Sequence, residues 1–244
     1  MSKWLKRIMD SFQNMLPFSV PVDKQLDFLG EMYSSPSGVD DPDGAREVNE
    51  AFLDDFRTRV WVSYRRDFPS LTDKSNNEVG ITTDAGWGCS IRVTQMLLIQ
   101  SYIGLLFPRS WRISRAEPKD FAIYKHLLSF IIDSPNAPFS IHQIVKTGHL
   151  LFNKRPGDWF GPTTGARAVM HLMNSTSTST RMGISLISFD SGEIITSEVI
   201  SAIQSSPNGV ILFLTHRLGL DSFNEERYKS TIQRANERRS SLTK

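Results

Sequence analysis

The sequence predicts an α+β fold arranged around one central helix, and three observations carry that reading. The run 89–107 is almost wholly apolar and is stopped by Pro108. Val48, Phe52, Phe56 and Val60 recur every four residues, the spacing of one helix face. Two short apolar stretches, 182–189 and 209–215, follow turn-forming residues late in the chain and read as strands.

The elements follow in order. Trp4, Ile8 and Phe12 share a helical face, with Leu5, Met9 and Leu16 beside it and Lys3, Lys6 and Arg7 opposite. Such a segment packs on its own domain or lies on a membrane surface, so at most peripheral membrane contact is expected. Residues 34–44 collect Ser, Pro, Gly and Asp and predict a loop. The Val48–Val60 pattern predicts an amphipathic helix that runs into Trp61, Val62, Ser63 and Tyr64, which are strand-forming. The polar stretch 70–83 is a loop, and Ile91, Met96, Leu97, Leu98, Ile99, Ile103, Leu105 and Leu106 then cover every side of the central helix. A helix apolar all round belongs in a core.

Phe121, Tyr124, Leu127, Leu128 and Ile131 mark a further helix. Ser140 and Gln143 form a capping box, in which each side chain would reach the other residue's backbone amide. Phe139 and Ile144 stand at the positions of a hydrophobic staple. The Ser/Thr tract 175–180 is a loop, and Ser222 with Glu225 opens a last, charged helix. The two strands are expected to pair in a small antiparallel sheet. The division expected is an N-terminal amphipathic segment and loop, 1–44, before one domain, 45–244.

Composition narrows the function. Hydrophobic residues make up 39% of 244 and charged residues 22%, ordinary for a globular protein, and the net charge is only +2. No basic block interleaved with aromatics points to nucleic acid. One cysteine, Cys89, forbids an internal disulfide and predicts a reducing, cytoplasmic setting. The apolar stretch 96–107 is too short and too interrupted to span a bilayer, and the amphipathic N-terminus predicts no secretory leader. No metal site and no cofactor are expected.

Cys89 follows Gly86, Trp87 and Gly88 at the start of the central helix. A thiolate is the nucleophile, and free amides at a helix N-terminus favour that anion by ~0.3–1 kcal/mol, or ~2 kcal/mol when partly buried. Arg92, one turn on, would add a cation at the same end. These effects leave a remainder that an imidazolium usually supplies, and the imidazolium also protonates the leaving amine. Gly86 and Gly88 remove side chains where a substrate backbone would approach. The alternative is a packed turn, since a lone cysteine is among the most buried residue types.

The string 83–92 (TDAGWGCSIR), followed by Gln95, Met96, Leu97 and Leu98, resembles the nucleophile segment of the autophagins, papain-like cysteine endopeptidases of the autophagy conjugation system. Further blocks resemble that family in order: 60–69 (VWVSYRRDFP), 139–144 (FSIHQI) with 158–162 (DWFGP), and 209–228 with Arg217 to Leu220. The resemblance implies a papain-like fold and cleavage after the C-terminal glycine of a ubiquitin-like autophagy modifier. Both the free precursor and the form conjugated to phosphatidylethanolamine would be substrates. It implies Cys89 as nucleophile, Tyr64 as oxyanion support, and Trp159 as a wall of the groove for the glycine tail. By physical character alone, Tyr64 and Trp159 could equally be core aromatics with a polar handle.

One departure stands out. The family carries its catalytic acid and base in an Asp-Pro-His segment, and this sequence contains none, so a chain truncated before that segment is expected. His126, His142, His149, His171 and His216 each sit in a local pattern with another use. The alternative function is therefore a non-catalytic protein that holds the modifier's tail. A weaker one is an unrelated cysteine hydrolase using one of these histidines.

Overall fold

The computed structural model describes residues 26–34, 42–72, 80–175, 183–190 and 193–215, together with Glu226 and Lys229. These fall into two compact units that divide at residue 183. The predicted N-terminal helix, the tract 176–180, His216 and the block 217–225 lie outside the described residues; Glu226 and Lys229 are helical.

In the first unit, β1 (Leu26–Phe28) and β2 (Glu31–Tyr33) pair antiparallel, Leu26 opposite Tyr33. The connecting residues Leu29 and Gly30 both have positive φ, +48° and +88°, as a two-residue hairpin turn demands. This hairpin lies inside the segment expected to be only helix and loop, and it packs on α1 (Pro42–Thr58). Tyr33 and Phe52 form the buried centre, with Leu26, Phe28, Val48, Leu53 and Phe56 around them. Edge-on ring contacts at 5.5 Å join Phe52 to both Phe28 and Tyr33. The helix predicted from Val48 onward thus exists, but it begins at Pro42, within the stretch 34–44 expected to be loop. Proline is well tolerated at a helix's first position.

Residues 60–66 form no strand or other regular element. Their amides find side-chain acceptors instead of a neighbouring strand. The Val62 amide donates to Met96 Sδ at 3.1 Å, and the Arg65 amide to Asp84 Oδ1 at 2.6 Å. The described ends of the 70–83 loop run side by side, Leu71 N–H to Ile81 O at 3.0 Å.

The central helix, α2 (Cys89–Leu106), starts at the expected residue and ends before Pro108. It is not buried all round. Ile91, Leu98, Ile99, Tyr102 and Ile103 enter the core, while Val93, Leu97 (51% exposed), Leu105 and Leu106 stay on the surface. By length and composition α2 is apolar enough to cross a membrane, contrary to the expectation drawn from 96–107. In this unit it packs against other helices, and it buries Arg92 and Gln95 in doing so.

A stacked Phe107–Trp111 pair, centroids 4.4 Å apart, follows α2. Next come α3 (Pro118–Ser129), α4 (Ile141–Phe152) and α5 (Pro162–Ser175). Ser140 caps α4 as predicted, its hydroxyl accepting from the Gln143 amide at 3.3 Å. The reciprocal half of the box is not made. The Ser140 amide is already satisfied by Ala137 O at 3.1 Å, and the Gln143 side chain donates to Pro135 O at 2.6 Å. Phe139 and Ile144 are fully buried.

In the second unit, β3 (Ile184–Phe189) and β4 (Gly209–Leu214) pair as expected, but parallel rather than antiparallel. The reason lies in the connection. A parallel pair needs a crossover, and α6 (Thr196–Ser205) supplies it. Ile184, Leu186 and Phe189 are buried on β3, and Ile211 and Phe213 on β4.

Candidate active site

The turn before α2 is built on Asp84. Its carbonyl accepts from the amides of Trp87 at 3.2 Å and Gly88 at 2.9 Å. The Trp87 indole N–H donates to Thr83 O at 3.0 Å, which tucks the ring into the core. Gly86 has φ +86° with open space where a Cβ would stand, so a glycine is needed for the backbone and leaves room above the turn. Gly88 is required for a different reason: a Cβ there would meet Asp84 Cβ at 2.6 Å. Cys89 is thus the first residue of α2, where the leading amides have no acceptor within the helix, and it is half-buried.

Tyr64 lies on the irregular segment 60–66, 49% exposed, with its hydroxyl beside the Cys89 thiol. Partial loss of water, then the charge of Cys89 and a hydrogen bond to it, and then the charge of Asp84 hold its pKa above the ordinary tyrosine value.

Arg92 does not act as the free cation that its position suggested. It is 2% exposed and committed to carboxylates. Its Nε donates to Asp84 Oδ2 at 2.6 Å, and its Nη1 to Asp133 Oδ1 at 2.7 Å and to Gln95 Oε1 at 3.1 Å. Asp133 also lies 3.6 Å from Arg65 Nε. Two carboxylates on one guanidinium leave no net positive charge to lend the thiol. A helix interior has few other ways to hold a guanidinium, because a buried charge is tolerated only when paired.

Trp159 is 59% exposed, on a loop whose next residue, Phe160, is fully buried against Gly148. That approach is so close that a Cβ on Gly148 would meet the Phe160 ring at 2.3 Å. Asp158 Oδ2 accepts the Arg155 amide at 2.7 Å and closes the loop. Gly157 lies against Ile81, ahead of the 84–88 turn, and Gly165 of α5 lies against Thr94 and Ser90 of α2.

The histidines have other partners. His142 Nε2 is 2.7 Å from Pro69 O and its ring meets Phe68 edge-on. His126 packs on Phe130, and His149 and His171 are on exposed helix positions. No histidine hydrogen bond to the thiol occurs among the described residues. Nor, among them, does any group of three His, Cys, Asp or Glu stand where it could hold a metal ion.

A family model described as the peptidase C54 catalytic domain matches residues 49–243. The chain belongs to the peptidase C54 family. This is the autophagin family its motifs resemble, with the papain-like cysteine-peptidase fold. Among curated relatives, the cysteine protease ATG4 of Pyricularia oryzae is 32% identical over 227 residues, covering 86% of this chain and 45% of that protein. The probable cysteine protease ATG4 of Pichia angusta is 32% identical over 208 residues, 75% of this chain and 40% of that one. The cysteine protease of the same name from Emericella nidulans is 40% identical over 141 residues, 50% of this chain and 34% of its own. The chain thus spans less than half the length of these peptidase C54 relatives.

Two residues that build the site escaped the sequence reading. Asp84 stands inside the quoted nucleophile string, yet an acidic residue in a polar loop reads as solvated. Asp133 precedes a Ser-Pro turn far along the chain, and no local signal ties it to Arg92.

Proposed function

We propose that this chain carries the nucleophile part of a cytoplasmic thiol endopeptidase of autophagy. Its reaction is cleavage after the C-terminal glycine of a ubiquitin-like modifier, in the precursor and in the lipid-conjugated form. The observation that carries the reading is the Cys89 thiol at the first position of α2 with the Tyr64 hydroxyl beside it. The sulfur attacks the glycine carbonyl carbon, and negative charge gathers on the carbonyl oxygen. The Tyr64 hydroxyl and the first amides of α2 are the donors at hand for that oxygen. The C–N bond breaks to leave a thioester on Cys89 and an amine that must take up a proton. Water then releases the modifier. Exposed Trp159 offers a flat wall that a glycine tail can pass and a bulkier one cannot.

A second reading is favoured by one observation: among the described residues no imidazole is placed against the thiol. On this reading the chain by itself holds the modifier's tail without cutting it. Loss of the base from a catalytic triad can cost on the order of 10⁶ in turnover.

A cleavage assay on a modifier precursor, beside a binding titration, decides between them. Turnover abolished by Cys89→Ala supports the peptidase. Binding that weakens with Trp159→Ala, without turnover, supports the tail-holding chain. Neither turnover nor binding overturns both.

A further inference from the structure

We propose that Asp84 is the positioning residue of this site, one buried carboxylate that fixes the Tyr64 segment against the nucleophile helix. The inference rests on the reading of Cys89 and Tyr64 given above. The two groups come from parts of the chain that share no regular structure. Tyr64 lies on an irregular segment with no strand partner, and Cys89 opens a helix.

Asp84 bonds to the backbone beside Tyr64 on one side and to Arg92 on the other; Asp133 spans the same two residues only through arginine side chains, and Met96 Sδ holds the Val62 amide two residues before Tyr64. Asp84 Oδ1 accepts the Arg65 amide at 2.6 Å, one residue past Tyr64, and Oδ2 accepts Arg92 Nε at 2.6 Å, three residues past Cys89. Its own amide donates to Arg65 O at 3.3 Å, and its carbonyl closes the turn to Gly88 at 2.9 Å. Thr83 Oγ1 adds a bond to Arg65 O at 3.0 Å. The carboxylate is fully buried, and a Cβ at Gly88 would meet its Oδ2 at 2.8 Å, so its seat depends on the glycine there. An ion pair serving stability alone needs only Arg92. The bond to the Arg65 amide satisfies a backbone donor, and it also fixes the residue that follows Tyr64.

The chain's single cysteine makes the test clean, because iodoacetamide alkylation in the folded protein reads Cys89 alone, with Cys89→Ala as blank. It needs no substrate and no general base, so its outcome does not depend on whether the chain cleaves anything. Tyr64→Phe is expected to slow alkylation at pH 7 about tenfold, the order of one hydrogen bond to a charged atom.

Asp84→Asn is expected to slow it equally, since its one oxygen goes to the charged Arg92 and the Arg65 amide is left facing an NH2 donor. The Asp84→Asn/Tyr64→Phe double variant should be no slower than either single one. If Asp84→Asn does not fold, Asp84→Glu takes its place. It keeps the charge and the pairing with Arg92 but cannot meet both donors at the present spacing. A merely structural ion pair would be rescued by Asp84→Glu, and the Tyr64 effect would persist in full. That result, or additive effects in the double variant, overturns the proposal. If Tyr64→Phe itself has no effect, the assignment of Tyr64 fails first, and the positioning proposal with it.

Discussion

Asp55 and Asp84 are both fully buried and both held by arginine, yet they are wired in opposite senses. At Asp55 a single carboxylate gathers several guanidiniums. Oδ1 accepts Arg59 Nη2 at 2.6 Å and Arg109 Nη1 at 2.8 Å, Arg112 Nη1 stands 3.5 Å away, and the Tyr33 hydroxyl donates to Oδ2 at 2.6 Å. Arg109 reaches on to the hairpin, donating to Leu29 O at 2.9 Å and to Phe28 O at 2.7 Å. At Arg92 a single guanidinium gathers two carboxylates. Removing Asp55 strands convergent cations, whereas removing Asp84 leaves Arg92 with Asp133. The first cluster therefore carries stability for the hairpin and α1. The second can lose a member and still be neutralised, which suits it to holding a geometry near the thiol.

The largest expected effect follows from that asymmetry. Asp55→Ala should destabilise the first unit by about 3–5 kcal/mol, the usual cost of leaving buried charge unpaired, read as a lower urea midpoint. Alkylation of Cys89 in the folded variant should stay within about twofold of the parent. A large change in alkylation with little loss of stability would break the comparison. The same carboxylate has a pH signature. Burial alone would raise its pKa, but hydrogen bonds from Arg109 and Tyr33 and the charges of Arg59 and Arg109 outweigh this and hold it below the ordinary value of 3.8. Its contribution is thus fully present above that value and is lost as pH falls through the folded one. Unfolding midpoints of the parent and Asp55→Ala should converge as pH drops below about 4.

A smaller effect is expected at the other cluster. Gly88→Ala sets a methyl against Asp84 Cβ, where 2.6 Å is available. Overpacking of this kind costs about 1–3 kcal/mol, and Asp84 must move to relieve it. Slower alkylation of Cys89 should accompany the lost stability. Gly86→Ala meets no atom within 4 Å and suffers only from its φ of +86°. Its effect should be on stability with less change at the thiol. If the two glycine variants behave alike, the close approach at Gly88 is not what holds Asp84.

How far these features could be read beforehand depends on their range along the chain. The start of α2 was legible because the Gly-Trp-Gly turn, the apolar run and Pro108 lie in one continuous stretch. The Ser140 cap was legible for the same reason, although Gln143 found a better acceptor in Pro135 O, which lies eight residues back. The sheet's direction was not, because alternation within a strand carries nothing about its partner, and α6 mixes Ile with Ser and Thr too evenly to announce itself. The hairpin escaped because three-residue strands are too short to alternate. Both charge clusters escaped for a stronger reason. Arg92 meets Asp133 across 41 positions and Arg109 meets Asp55 across 54, and a charged residue viewed alone reads as solvated.

The smallest expected effect is at Tyr33, and it sharpens the account of Asp55. Burial first, then the hydrogen bond to Asp55 and that residue's charge, push the Tyr33 pKa up to about 12, with Arg112 acting in the opposite direction. Tyr33→Phe removes a donor but leaves the carboxylate its arginines, so no buried acceptor is orphaned. The cost at pH 7 should be only about 0.5–1.5 kcal/mol. The sign in alkali follows from the raised value. The phenol's contribution is fully present below its unfolded pKa near 10 and is lost as pH rises through about 12. Tyr124 is also pushed up to about 12 by burial, and Tyr102 is raised as well, so the parent and the variant share that background. The gap between their urea midpoints, rather than either midpoint alone, should close between pH 10 and 12. A gap that stays constant across that range would mean Tyr33 contributes packing on Phe52 and not the bond to Asp55.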